Sequence, residues 1–294
     1  MKNWLVSMSR AERIYWSVAL LLGACATAFV LSLMHGGEAI EATEARYTES
    51  AEAAAACAQG PRAGEGGRFE RRSAAGVPYV VVTPRNYRPS HAHPLLMVYA
   101  PASFSAGISE RYAGLTRLAT AAGFVVSYVG SLQLSLPVVE KLSAVPAEIV
   151  ADWCIDPAQV YSTGHSDGGT VSVALSALPQ YQGRFAGIVA SGVGWNEQDF
   201  AGVECPAPMP VAILHGADDS HFPGFGRAAA DWWSACNQCT GQGSIGPGAC
   251  RSYTGCAAET VYCEPDRSHW RWAGDPPQVM QFFERWASAH DPSN

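Results

Sequence analysis

The segment Val160-Tyr-Ser-Thr-Gly-His-Ser-Asp-Gly-Gly-Thr170 constrains the fold of this chain more than any other stretch. Its first part is rich in β-formers (Val160, Tyr161, Thr163). The stretch after it, Val171 to Leu178, is apolar and suited to a helix. Between them Gly164 to Gly168 spell Gly-x-Ser-x-Gly. A serine held on a sharp strand-to-helix turn needs small neighbours, because the backbone there is strained and the next helix packs close. Gly164, Gly168 and Gly169 provide that room, which makes Ser166 a candidate nucleophile. With 29 glycines in the chain the bare pattern arises easily by chance, so the strand–turn–helix context is what gives it weight. A Gly-rich turn without chemistry is the competing reading.

The rest of the chain supplies that context. Tyr79 to Thr83, Leu95 to Ala100, Phe124 to Val129, Gln159 to Thr163, Phe185 to Ser191 and Val211 to His215 are short apolar runs of the buried-strand type. Helical stretches fall between and after them: Arg111 to Ala122, Val138 to Trp153 with a kink at Pro146, and Pro277 to Ala289 with Val279, Met280, Phe283 and Trp286 on one face. Strands alternating with helices predict an α/β fold, a mainly parallel sheet with helices on both faces. Catalytic groups in such sheets gather at the carboxyl ends of the strands.

A serine hydroxyl needs a base to take its proton and a carboxylate to orient that base. Both occur downstream in the order Ser, acid, His. The strand Val211 to Leu214 runs into His215-Gly-Ala-Asp-Asp-Ser-His-Phe-Pro223, which offers Asp218 and Asp219; a solvated acidic turn is the alternative. His269 follows in a loop before the last helix. His165 adjoins the nucleophile and points elsewhere, His215 ends a buried strand, and His221 lies too close to the acid. His91 and His93 precede the wrong strand, and His290 is in the tail. Two backbone donors are needed for an oxyanion. The N–H of Asp167 is one. Pro101 has none, so Ala102 is the second, with the Ser103 hydroxyl able to assist. Among the nearby tryptophans, Trp195 and Trp270 are candidates to line an acyl or aryl pocket, and Trp232 and Trp233 to pack a helix.

The N-terminus is a separate object. Ile14 to Met34 carries no formal charge and follows Lys2, Arg10 and Arg13, a length and flank suited to a membrane-spanning helix with its start in the cytoplasm. A signal anchor, a cleaved signal peptide and lipidation at Cys25, within Leu22-Gly-Ala-Cys25, are three fates for it, and each exports the domain. The division is then 1–35 as anchor or signal, 36–68 as an Ala/Glu-rich spacer, and 69–290 as the domain. Eight cysteines remain beside Cys25, and an even number in an exported chain reads as disulfides of unreadable connectivity. A zinc knuckle on Cys236 and Cys239 is the rival; no metal or cofactor is expected. The net charge of −7 argues against nucleic acid.

The stretch Trp153-Cys-Ile-Asp-Pro157 with the Gly-His-Ser-Asp-Gly-Gly turn resembles the feruloyl-esterase and polyhydroxybutyrate-depolymerase branch of the α/β-hydrolases. The similarity spans roughly residues 57–288 and includes Pro94-Leu-Leu-Met-Val98 and Tyr253-Thr-Gly-Cys256. The family's acid motif, His-Gly-x-x-Asp-x-x-x-Pro, maps onto His215, Gly216, Asp219 and Pro223, which selects Asp219 over Asp218. Two departures stand out. The base loop, Ser268-His-Trp-Arg-Trp-Ala-Gly274, is one residue longer than the family's Gly-His-x-Trp-Pro-Gly and lacks its proline. Ala100-Pro101 replaces a His-Gly in the oxyanion loop. The resemblance implies an extracytoplasmic serine carboxylic-ester hydrolase of the α/β-hydrolase fold. Its substrate would be a polyester oligomer of the hydroxybutyrate type, or alternatively a feruloyl or acetyl ester on a plant polysaccharide. A serine peptidase with the same triad and a non-catalytic binding protein are the other readings.

Overall fold

Side-chain alternation along the strands builds this molecule. In the computed structural model, which describes residues 51–58 and 64–289, ten strands form one sheet. They are β1 (Arg68–Arg72), β2 (Pro78–Val82), β3 (His93–Tyr99), β4 (Val125–Val129) and β5 (Ile155–His165), then β6 (Gly187–Ser191), β7 (Val211–Leu214), β8 (Gly241–Gly246), β9 (Cys250–Thr254) and β10 (Thr260–Cys263). Leu95, Met97 and Tyr99 of β3 enter one core, and Leu96 and Val98 enter the other. Both faces are apolar, as a sheet covered on two sides requires.

The covering helices are α1 (Ala51–Ala58), α2 (Ala106–Ala113), α3 (Thr116–Ala121), α4 (Leu136–Ser143), α5 (Val145–Asp152), α6 (Asp167–Ala177), α7 (Glu197–Phe200), α8 (Phe225–Cys236) and α9 (Pro276–Ala289). One core takes Leu142 of α4, Ile149 of α5, Leu175 of α6 and Trp233 of α8. The other takes Ala113 of α2, Ala119 of α3, and Met280 and Phe283 of α9. The strand order is β1-β2-β4-β3-β5-β6-β7-β10-β9-β8. Strands β4, β3, β5, β6, β7 and β10 run parallel, with antiparallel strands at either edge. From β3 the chain turns one way to β4 and then returns past β3 to β5. That reversal opens a crevice at the carboxyl ends of β3 and β5.

The strands stand close to their predicted places, whereas two predicted helices divide. Arg111 to Ala122 breaks at Gly114, which caps α2 in the left-handed region at φ 64° and donates to Glu110 O. Val138 to Trp153 restarts at Val145, because Pro146 fits only the first turn of a new helix. The antiparallel ribbon β8–β9–β10 was not expected; the sequence there reads only as a Cys-rich loop.

Four disulfides join Cys57 to Cys154, Cys205 to Cys236, Cys239 to Cys256 and Cys250 to Cys263. Cys236 and Cys239 thus belong to different bridges, which removes the zinc reading. Four bridges point to an oxidising, extracytoplasmic setting. Helix α1, within the stretch read as a spacer, buries Ala53 and Cys57 against Ala92 and Cys154. No helix among the described residues is long and apolar enough to cross a membrane. The candidate anchor at 14–34, Cys25 and His290 lie outside the described residues.

Candidate active site

Strand β5 ends at His165 and α6 begins at Asp167, which leaves Ser166 alone to make the corner. Its φ of 56° and ψ of −120° lie where non-glycine residues rarely sit. The corner is held by Ser166 N–H donating to Ser191 O at 2.9 Å and by Thr170 Oγ1 donating to Ser166 O at 2.9 Å. A Cβ on Gly164 would overlap the Gly168 backbone, one on Gly168 would overlap Tyr99 O, and one on Gly169 would overlap Ser191 O. The three glycines let α6 press against the ends of β3 and β6, and this pressure aims Ser166 into the crevice.

His269 stands in the loop between β10 and α9. Its Nε2 lies 2.9 Å from Ser166 Oγ, and its Nδ1 lies 2.7 Å from Asp219 Oδ2. A carboxylate can only accept, so Nδ1 carries the proton and Nε2 is free to accept from the serine hydroxyl. Asp219 is buried, and its Oδ1 accepts from the N–H groups of His221 and Phe222, each at 2.9 Å. Burial works against its charge, but the bonds from His269 and Phe222 outweigh it, so its pKa lies below the ordinary carboxylate value. Asp218 is exposed and takes part only through its backbone, its N–H donating to Arg267 O at 3.2 Å. His215 is a turn residue, its Nε2 donating to Phe222 O at 2.9 Å. Burial lowers its pKa.

Of the two expected oxyanion donors, Asp167 follows Ser166 directly and Ala102 lies in the loop after β3. Asp167 is the first residue of α6, where backbone N–H groups have no partner within the helix. Ala102 is exposed in the turn Pro101–Phe104, closed by Phe104 N–H donating to Pro101 O at 3.2 Å. Ser103 takes the left-handed position of that turn at φ 65°. Beside Asp167 and Ala100 lies a cleft of only about 10 Å³, walled by Leu132, Leu134, Leu142 and Val171. Burial raises the Asp167 pKa, with His221 and His269 opposing.

No model of a known protein family matches the sequence. An acetyl xylan esterase from Aspergillus awamori superposes with a TM-score of 0.60 over 74% of this chain and 99% of its own, at 12% identity. Esterase Est2 of Thermogutta terrifontis gives 0.50 over 75% of this chain and 90% of its own, at 12% identity. This is the α/β-hydrolase fold. Dipeptidyl peptidase 4 of Porphyromonas gingivalis shares it, with a TM-score of 0.51 at 15% identity over 75% of this chain and 35% of that one. NocK of Nocardia uniformis subsp. tsuyamanensis, a presumed esterase, is 30% identical over 154 residues. That alignment takes in 47% of this chain and 44% of NocK, so the chain matches under half of that relative.

Aromatic rings surround His269, and the tryptophans singled out in the sequence take different places in this fold. Trp270 is 82% exposed beside His269, the ring centres 6.2 Å apart. Trp195 is half-buried and packs on Phe200 at 4.9 Å, which in turn stacks on Trp232 at 4.7 Å. Trp233 is fully buried in α8. Two residues dismissed or passed over in the sequence also stand here. The exposed His221 ring lies 4.8 Å from that of His269, and Phe222 meets His269 edge-on at 5.1 Å. The signal for both was their place in the turn after Asp219, where two N–H groups must fold back on the carboxylate.

Proposed function

We propose that this chain is an exported serine carboxylic-ester hydrolase that works through an acyl-enzyme. The observation that carries the reading is the continuous relay from Ser166 through His269 to Asp219, at 2.9 and 2.7 Å, starting from a serine at φ 56°. Ser166 Oγ attacks the ester carbonyl carbon while His269 Nε2 takes the hydroxyl proton. Asp219 keeps His269 in the required tautomer and stabilises the imidazolium. The N–H groups of Asp167 and Ala102 receive the developing oxyanion. Collapse breaks the bond to the alcohol, which leaves with the proton from His269, and Ser166 carries the acyl group. Water then attacks that ester with His269 again as base, releasing the acid and restoring the serine.

Hydroxybutyrate-type oligomers and other short-chain esters are the substrate class we infer from the resemblance of the Gly-His-Ser-Asp-Gly-Gly turn, with feruloyl or acetyl esters as the alternative. Trp270, exposed beside His269, offers an outer wall for the rest of the substrate. The peptidase among the structural neighbours shows that the fold alone does not select the scissile bond. Where the apolar segment 14–34 is retained rather than cleaved, it tethers the exported domain to the membrane.

Full-length protein in detergent tests this reading. p-Nitrophenyl acetate and butyrate should be turned over with kcat/KM at least about tenfold above octanoate if the acyl group is short. Hydroxybutyrate oligomers should be cleaved faster than methyl ferulate. Preference for a peptidyl substrate, or no turnover of any ester, would refute it.

A further inference from the structure

We propose that His165, the residue before the nucleophile, is a positioning residue that fixes the main chain of the base loop and thereby the place of His269. The inference rests on the esterase reading for its kinetic test, though the contacts that carry it do not. His165 Nε2 lies 2.7 Å from the carbonyl oxygen of His269, and Nδ1 lies 3.0 Å from Ser191 Oγ. Ala273 N–H donates to the same Ser191 Oγ at 3.1 Å. His165 is 3% exposed and Ser191 fully buried, so water does not compete for these bonds.

In the neutral ring only one arrangement of protons satisfies all of them. A carbonyl accepts, so Nε2 carries hydrogen and donates to His269 O. In the neutral ring Nδ1 is then an acceptor, and it takes the Ser191 hydroxyl proton. Ser191 Oγ in turn accepts from Ala273. Burial holds the His165 pKa down at about 4, which keeps the ring in this neutral form. The tether therefore grips the base loop at residues 269 and 273, on either side of Trp270, Arg271 and Trp272.

Other bonds hold this loop away from the reacting nitrogen. Ala217 N–H donates to Pro265 O at 2.9 Å, Asp218 N–H to Arg267 O at 3.2 Å, and Tyr112 Oη to Trp270 O at 3.4 Å. The bond from His165 falls on the peptide of His269 itself. At the corner that ends β5, Ser166 meets the His269 ring while His165 meets its backbone. Gly192, at φ 56°, leaves the space: a Cβ there would come 2.9 Å from His165 Cε1 and 3.5 Å from His269 Cε1. Between Ser268 and Gly274 the base loop has no proline, and this buried tether supplies the rigidity.

The test uses full-length His165→Leu, His165→Gln and Ser191→Ala proteins. A misplacement of the base by about 1 Å costs roughly 100-fold in rate. We expect His165→Leu to lose about 10- to 100-fold in kcat with KM within about twofold, and fluorophosphonate labelling of Ser166 to slow in parallel. Glutamine places its amide nitrogen near the former Nε2, so His165→Gln should recover most of kcat. Ser191→Ala serves if His165→Leu does not fold, and should lower kcat without raising KM. Unchanged kcat in both His165→Leu and Ser191→Ala, or equal loss in the Leu and Gln variants, would overturn the proposal. If the wild type turns over no ester, the function has failed and the tether is read separately. The low-field proton resonance of the His269–Asp219 bond should then broaden or shift in His165→Leu and persist in His165→Gln, and an unchanged resonance in both would refute the tether.

Discussion

Asp219 and Asp218 are neighbours with opposite environments. One is buried with both oxygens occupied by N–H donors, and the other is exposed. Asp219→Asn keeps the size but offers His269 an amide that can hold the wrong tautomer, so kcat for p-nitrophenyl acetate should fall by about 10³–10⁴. Asp218→Asn should stay within about twofold, since its side chain makes no contact with the relay; the reverse pattern would give Asp218 the role. This choice was legible in the sequence only through the family resemblance, whose acid motif maps onto His215, Gly216, Asp219 and Pro223. The role of His165 was not. Its decisive partner is a backbone carbonyl 104 residues away, and a carbonyl leaves no mark on residue identity. The exposure of Trp270 was equally unreadable, because the same residue type most often packs a core.

The elements that position the relay depend on close backbone approach more than on side chains. Helix α6 has Gly168 and Gly169 in its first turn and is buried along most of its length. Gly168→Ala would drive a methyl group into the end of β3, and we expect a loss of about 3 kcal/mol or more by urea denaturation. Gly107→Ala, on α2 with nothing nearer than 3.7 Å, should be tolerated or slightly stabilising. Equal effects would mean that the elbow is not as tightly packed as described. The buried parallel strands were legible because their apolar runs are continuous. The ribbon β8–β9–β10 was not, because Gly241, Gly243 and Gly246 erase the alternation, and its form is set by β10 pairing with β7 and by two disulfides. Helix α1 owes its place to Cys57, whose partner lies 97 residues on. The Cys57→Ala/Cys154→Ala protein should unfold with about 2–5 kcal/mol less stability, and an unchanged melting temperature would contradict this.

The whole molecule is built for an oxidising medium near neutral pH. Burial holds both His93 and His165 down at about 4 in the folded protein, against about 6.5 when unfolded. Between those values the unfolded chain binds more protons than the folded one, so stability is greatest above about pH 6.5 and falls as pH drops toward about 4. Each histidine contributes a slope of up to about 1.4 kcal/mol per pH unit in that window. Urea midpoints should therefore decline from about pH 7 to about pH 5, and His93→Asn should flatten the decline. A flat wild-type profile would show that neither ring is held neutral. The relay from Ser166 through His269 to Asp219 leads to one central claim, that Ser166 carries the acyl group. Peptide mass mapping of full-length protein quenched during turnover of p-nitrophenyl butyrate tests it directly. A butyryl adduct on the peptide containing Ser166, absent from Ser166→Ala along with the turnover, is the predicted result. Undiminished turnover in Ser166→Ala would contradict the account.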